Sequence, residues 1–476
     1  MKLKRLTLLF LVFTLLLSLL ASCGSCGKKD PPAQTGEGKT DDSDEIGDNF
    51  SLPIKKFDRA VTVLALEGAS LTKGSSTDPD MINEALVERT RYVEETYDVT
   101  MIQNEVSDGA DYNALMVSYS SGLHAYDLVA PHPTKFLASI MTSGLVQDMR
   151  SLNYFDFSGL WWNQSQLENF TVNGKLMFGV CDFNLNKRGF STMLMNSVMY
   201  NSYYPNSDPY SMVFNGEWTM ERMKDIVLSV YDDTGDSPTY GYITNEYGGS
   251  GAFYWGGETL LKSDGNGKLT FSYDLQKCSD IAKKLYDIAI GPQTLKVKWY
   301  NSNFATGDAW TTFSSGRALI IDFDLYFASL MKDLSFDTVF LPGPKLNDDQ
   351  KNYLTNCGAG FVGVPTDASD ADCAALILEA YNRHSYNYFR PVYFDSYMAY
   401  RVSNDPRDRQ VLQLILDYTV YDLGYNLDAN GATAGKATGL LNNVVYQNMS
   451  TNVASYIEQY EDTIRREFEQ TLSEIY

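Results

Sequence analysis

Two periodicities alternate along the chain. The run Ala60-Val61-Thr62-Val63-Leu64-Ala65-Leu66 is short, apolar and rich in β-branched residues, which predicts a buried strand. Asp78-Pro79-Asp80 then opens a helical spacing in which Ile82, Leu86, Val93 and Tyr97 lie near one face, with Ala85 beside them. Residues 99–102 and 126–130 read as further strands, and residues 111–121 and 136–144 as helices. This β-α-β-α-β order predicts a parallel sheet covered by helices. Ligands of such sheets gather beyond the carboxyl ends of the strands, which points to Glu67 after the first strand and His132 after the third.

Farther along, the turn Asn173-Gly174-Lys175 leads into a strand over 176–180, and a second follows over 192–195. Thr219 is placed to cap a helix running to Tyr231. The acidic residues 232–236 lack the ligand spacing of a calcium loop and read as a solvated turn. Strands are predicted over 317–321, ending in Asp322-Phe323-Asp324, over 336–341 and over 361–365. Helices are predicted over 369–382, 405–417 and 444–475. In residues 251–257 an aromatic triplet flanked by glycines reads as a mobile loop that offers a ring to a ligand.

The first fifty residues follow a different pattern. Lys2, Lys4 and Arg5 precede an apolar run from Leu6 to Leu20, and small residues follow, as in a secretory signal peptide over 1–22. The run is shorter than the roughly 20 residues that span a bilayer. Leu20-Ala21-Ser22-Cys23 resembles the lipobox of bacterial lipoproteins, which implies cleavage before Cys23 and lipidation of its thiol. Residues 23–51 hold few large apolar side chains and many acidic ones, so they are expected to form a disordered acidic tether. The protein is then expected outside the cytoplasm, anchored to the outer face of the cell membrane.

Composition narrows the choice of partners. The net charge is −22, and removal of Lys2, Lys4 and Arg5 with the leader leaves −25. Such a chain is a poor match for nucleic acid. The body has no Cys-x-x-Cys pair, and the chain has only 3 histidines, so zinc-site spacing is absent and neither a metal nor a cofactor is expected. Cys181, Cys278, Cys357 and Cys373 could be buried thiols or form disulfides in an exported protein; spacing does not choose. The 33 tyrosines suit both cores and carbohydrate-stacking surfaces.

Several segments in shared order carry a family resemblance. They are Tyr126-Asp127-Leu128-Val129 with Gly144-Leu145-Val146, Gly174-Lys175-Leu176-Met177-Phe178-Gly179, Met195-Asn196, Glu217-Trp218-Thr219 and Ser315-Gly316-Arg317-Ala318-Leu319. Together these resemble the extracellular solute-binding proteins of ABC importers, family 1, in the branch of the maltose-binding type. Residues 418–425 resemble a segment of clostridial lipoproteins. The resemblance implies an α/β, two-lobed clamp of the type II periplasmic-binding-protein kind, with crossing hinge strands near residues 180–182, 356–360 and 390–394. It implies a first lobe over 52–180 plus 357–390 and a second over 181–356 plus 391–476. The implied partners are a small solute, most simply a mono- or oligosaccharide, and ABC permease subunits; a monomer is expected.

The candidate ligand-binding residues are Trp255 and Tyr254 in the glycine-flanked segment, Asp322, Asp324 and Tyr326 after a strand, Glu67 and His132 at strand ends, and Trp299 beside Tyr300. Trp161, Trp162 and Trp218 read as packing. No catalytic residue is expected, and the GxSxG and HExxH motifs are missing. An exported glycan hydrolase stays open because Asp322 and Asp324 share a strand face, as does a sensor or adhesin with the same clamp. Replacing Cys23→Ser is expected to move the protein from the detergent phase to the aqueous phase on phase partitioning. Retention in the detergent phase would contradict lipidation at that residue.

Overall fold

Asp127 shows why the first strands sit side by side. Its carboxylate accepts from the Thr62 backbone N–H at 2.9 Å and from Arg59 at 2.5 Å, pinning the entry of one strand to the start of its neighbour. The computed structural model describes residues 51–74, 80–187, 190–235, 237–245, 247–264, 268–298, 307–358, 360–394, 405–428 and 435–475. The signal peptide, Cys23, nearly all of the tether, Trp299 and Tyr300 lie outside them, as does the side chain of Tyr326. No helix among the described residues is long and apolar enough to cross a membrane.

Strands β1 (Arg59–Leu66), β2 (Val99–Val106) and β3 (Leu128–Val129) form a parallel sheet in the order β2-β1-β3. The helix Asp80–Tyr97 buries Ile82, Leu86, Val93 and Tyr97, as their spacing predicts, and also Arg89 and Thr90. A small antiparallel hairpin pairs β4 (Thr171–Val172) with β5 (Lys175–Leu176), and β6 (Gly179–Val180) follows. The single strand expected over 176–180 is thus two pieces. Leu176 pairs back with Thr171, whereas Gly179 and Val180 pair elsewhere, so the ladder breaks between them.

The second sheet begins with β7 (Ser191–Asn196) and β8 (Tyr240–Asn245). An antiparallel pair of β9 (Leu261–Ser263) and β10 (Leu269–Phe271) follows, and then β11 (Thr294–Val297), β12 (Ala318–Asp324) and β13 (Thr338–Leu341). Five of these strands make a mixed sheet in the order β11-β8-β12-β7-β13, with β11, β8 and β12 parallel and β7 antiparallel to β12 and β13. Thr219 caps the helix Met220–Val230 with its side chain, as expected, and Trp218 is fully buried with its indole on the Pro342 carbonyl at 2.8 Å.

Two short strand pairs connect the sheets. β14 (Thr355–Asn356) and β15 (Phe361–Val362) carry the returning chain; β15 pairs antiparallel with β6, and β14 pairs parallel with β16 (Thr419–Val420). Bridges from Val129 to Gly363 and from Val146 to Pro365 then tie the returning chain to the first sheet. The segment expected to cross at 390–394 is helical, continuing the π-turn Ser385–Phe389 after the helix Ala371–His384. The C-terminal helix runs over Val453–Glu474 rather than from 444, because Met449 adopts a left-handed φ of 46° and Asn452 caps a new start.

The segment leaving β6 is anchored by Arg89. Its guanidinium is fully buried, donates to the carbonyls of Leu71 and Phe183 and to the Ser385 hydroxyl, and lies 4.8 Å from the Phe389 ring centroid. Burial pushes its pKa down to about 10, which still leaves it charged at neutral pH. Nearby, Glu379 accepts both the Trp161 and Trp162 indoles at 2.9 and 3.0 Å, so these two tryptophans are packing as expected. Cys181, Cys278, Cys357 and Cys373 are all buried and form no disulfide.

Arg89→Leu leaves those buried acceptors without donors and is expected to destabilise the protein by about 2–5 kcal/mol. Urea unfolding reads this directly. An unchanged midpoint would mean that the guanidinium does not hold the crossing in place.

Candidate functional site

The parallel strands β11, β8 and β12 end on the same side of the second sheet, and a cavity of about 130 Å³ opens there. Its wall is largely apolar, formed by Ile243, Val297, Ala309, Ile321 and Phe327. Thr244, Asn245, Lys298 and Asp322 supply the polar groups. An apolar hollow with few convergent polar groups, at the carboxyl ends of strands, is the usual setting of a small-molecule site.

Asp322 organises this cavity. It is the fifth residue of β12, half-buried, and faces β8. One carboxylate oxygen accepts from the Tyr242 hydroxyl at 2.6 Å and the other from the Thr244 hydroxyl at 2.6 Å. The Tyr446 hydroxyl stands 3.3 Å from that of Thr244. Burial pushes the Asp322 carboxyl up to about 6, against the opposing effect of its two donors. These contacts replace the alternative that Asp322 caps the helix after it.

Asp324 is half-buried one pleat farther along and does not line the cavity; the shared strand face does not make a carboxylate pair there. Glu67 is exposed, and its backbone N–H extends the ladder to the Val106 carbonyl at 2.9 Å. His132 turns its ring inward: Nδ1 accepts from the backbone N–H groups of Thr134 and Lys135 at 3.1 and 2.9 Å, and Nε2 lies 3.3 Å from Asp108. His132 therefore stabilises its own turn. Glu67 and His132 do not join Asp322 at the cavity.

Tyr254 and Trp255 correct the expectation of a mobile loop. Gly248–Trp255 is a helix, with Tyr254 1% and Trp255 3% exposed. The glycines serve close packing: a Cβ at Gly248 would collide with Thr244 and one at Gly249 with Asn442. A Cβ at Gly343 would collide with the Trp255 indole. Tyr254 donates to Asp422 at 3.1 Å. Asp422 also accepts the backbone N–H groups of Leu260, Leu261 and Gly424 at 2.6, 3.2 and 2.9 Å, and burial pushes its carboxyl up to about 6.

The sequence reading missed Tyr242, Thr244, Phe327 and Tyr446. The alternating stretch Tyr240-Gly241-Tyr242-Ile243-Thr244 carried a usable strand signal for the first two. A larger depression, of about 720 Å³, lies where β7 ends and β13 begins, lined in part by Asp208, Tyr210, Asp405 and Arg407. Its main charges satisfy each other, with Arg407 3.0 Å from Asp208 and 2.7 Å from Asp405. It therefore offers a ligand less than the cavity beside Asp322.

No protein-family model matches the sequence, and no curated protein matches it. Solved structures do match. An ABC substrate-binding protein from Listeria monocytogenes in complex with cycloalternan aligns with a TM-score of 0.56 at 13% identity, over 87% of this chain and 100% of that one. The cyclic alpha-maltosyl-1,6-maltose binding protein of Arthrobacter globiformis gives 0.58 at 15% identity, over 87% and 98% of the two chains. A family 1 extracellular solute-binding protein from Bifidobacterium longum subsp. infantis gives 0.57 at 12%, over 87% and 100%.

The chain has the two-lobed α/β fold of solute-binding proteins. Its described strands include a three-stranded and a five-stranded sheet, with the short pairs β6-β15 and β14-β16 apart from both.

The Asp322 carboxyl is held above the value near 4 of an unfolded aspartate, so the folded chain binds that proton more tightly. Its contribution to stability is complete below about pH 4 and is lost as the pH rises through about 6. Burial pushes His132 and His384 downward, which acts in the opposite direction, so the informative quantity is a difference between proteins. Relative to the wild type, Asp322→Asn is expected to gain about 2–3 kcal/mol of stability between pH 4 and pH 7. A parallel pH dependence of the two proteins would show that the fold does not raise the affinity of this carboxyl for its proton.

Proposed function

We propose that this protein is the solute-binding component of an ABC importer, held to the outer face of the cell membrane by lipid on Cys23, and that it captures a carbohydrate. The observation that carries the reading is the cavity at the carboxyl ends of β8, β11 and β12 in a two-lobed solute-binding fold. Ligand binding would shift such a clamp toward a closed form, and the permease would read the closed form. The first lobe is assigned to residues 52–180 plus 357–390 and the second to 181–356 plus 391–476.

Carbohydrate is favoured by two considerations. The neighbours of similar fold include proteins whose ligands are cycloalternan and a cyclic maltosyl-maltose. The cavity also combines apolar walls with hydroxyl, amide and carboxylate groups, which suits the mixed surface of a sugar ring. On this reading the protein binds and releases its ligand without covalent chemistry, and the two hydroxyl donors on Asp322 suit it to holding a ligand.

Thermal unfolding of the unit Leu52–Tyr476 against a panel of mono- and oligosaccharides tests the reading. A true ligand at 100 times its dissociation constant adds about 2.7 kcal/mol of stability. A concentration-dependent rise with one glycan, recovered intact afterwards, is the expected result. Cleavage of that glycan would replace the reading with an exported hydrolase. The lack of any shift across the panel would remove carbohydrate as the cargo.

A further inference from the structure

Among the described residues the Asp322 carboxylate has no cationic partner. Its hydrogen-bond donors are the hydroxyls of Tyr242 and Thr244, and no lysine or arginine among the described residues forms an ion pair with it. Both bonds are 2.6 Å long, in the range of hydroxyls donating to an ionised carboxylate. Lys298 stands on the cavity wall but is exposed, so its ammonium can remain in water.

A charge in this position is tolerable only while solvent reaches it. A ligand that fills the cavity removes that solvent, and Ile243, Val297, Ala309, Ile321 and Phe327 offer nothing in exchange. A neutral hydroxyl would satisfy one lone pair and leave the charge uncompensated. A protonated amine would supply both the hydrogen bond and the opposite charge. The net charge of −22 favours the approach of such a cation from a distance.

We infer that Asp322 is the specificity-determining residue of the cavity and selects a solute bearing a protonated primary amine, an amino sugar in the first instance. The inference rests on the solute-binding reading above and narrows its ligand class. It assigns Tyr242 and Thr244 the role of positioning residues, each holding one carboxylate oxygen. Tyr446 in turn stands against Thr244.

The test is calorimetric titration of the purified protein at pH 7 with three trisaccharides of the same linkage: fully deacetylated chitotriose, its fully N-acetylated counterpart, and cellotriose. Spermidine serves as an amine without a sugar ring. The deacetylated trimer is expected to bind at least tenfold more tightly than either neutral trimer. Asp322→Asn is expected to abolish that preference through at least a tenfold loss of affinity for the deacetylated trimer. Should the variant fail to fold, the ranking of ligands by the wild-type protein still decides.

Equal or tighter binding of a neutral trimer would overturn the inference and leave the carbohydrate reading standing. Binding of spermidine without any of the sugars would uphold selection of an amine and remove the carbohydrate reading. Failure of every amine to bind would overturn the inference.

Discussion

A guanidinium buried away from water must find acceptors for its hydrogens, and Arg89 finds them on chain segments far apart in sequence. Leu71 lies after β1, Phe183 lies just beyond β6, and Ser385 lies in the π-turn that extends the helix Ala371–His384. The helix Asp80–Tyr97, the outgoing chain and the returning chain are therefore registered against one another by one side chain. Asp182 adds a second tie at the same place through Arg390, 3.2 Å away. The strands β6, β14, β15 and β16 nearby are only two residues long, so side-chain ties of this kind carry much of the registration there.

Buried acids do comparable work elsewhere, each on a different kind of donor. Glu379 gathers two indoles and the Arg383 guanidinium, Asp422 gathers three backbone N–H groups and a tyrosine, and Asp322 gathers two hydroxyls. The first two satisfy donors within the core and so order the chain around them. The third faces a cavity, and its surroundings are less complete. This contrast between a completed core acid and an acid on a cavity wall is what the ligand role proposed for Asp322 rests on.

The first sheet was legible from sequence because its strands are β-branched runs and its helices carry an apolar face with local start signals. Asp111–Ser121 was placed to the residue, and Thr219 and Trp218 behave as read. The site was less legible for a physical reason. Asp322 was identifiable at a strand end, but its partners Tyr242 and Thr244 lie 80 and 78 residues away, and Tyr446 lies 202 residues from Thr244. Only sheet pairing and the packing of the C-terminal segment bring them together. The glycines around Tyr254 and Trp255 were misread because glycine serves both mobility and close packing, and local sequence does not distinguish the two uses.

The four thiols of the folded body bear on the location outside the cytoplasm proposed for it. Cys181, Cys278, Cys357 and Cys373 are enclosed and form no disulfide, and burial pushes the thiols of Cys278 and Cys373 up to about 12, so the reactive thiolate of these two is scarce in the native state. Maturation of the folded body therefore needs no oxidase to join them. The exposure runs the other way once the chain unfolds: the same thiols meet an oxidising medium with ordinary reactivity and can cross-link in wrong pairs. Durability in that compartment is then governed by how rarely the core opens, rather than by any covalent staple within it.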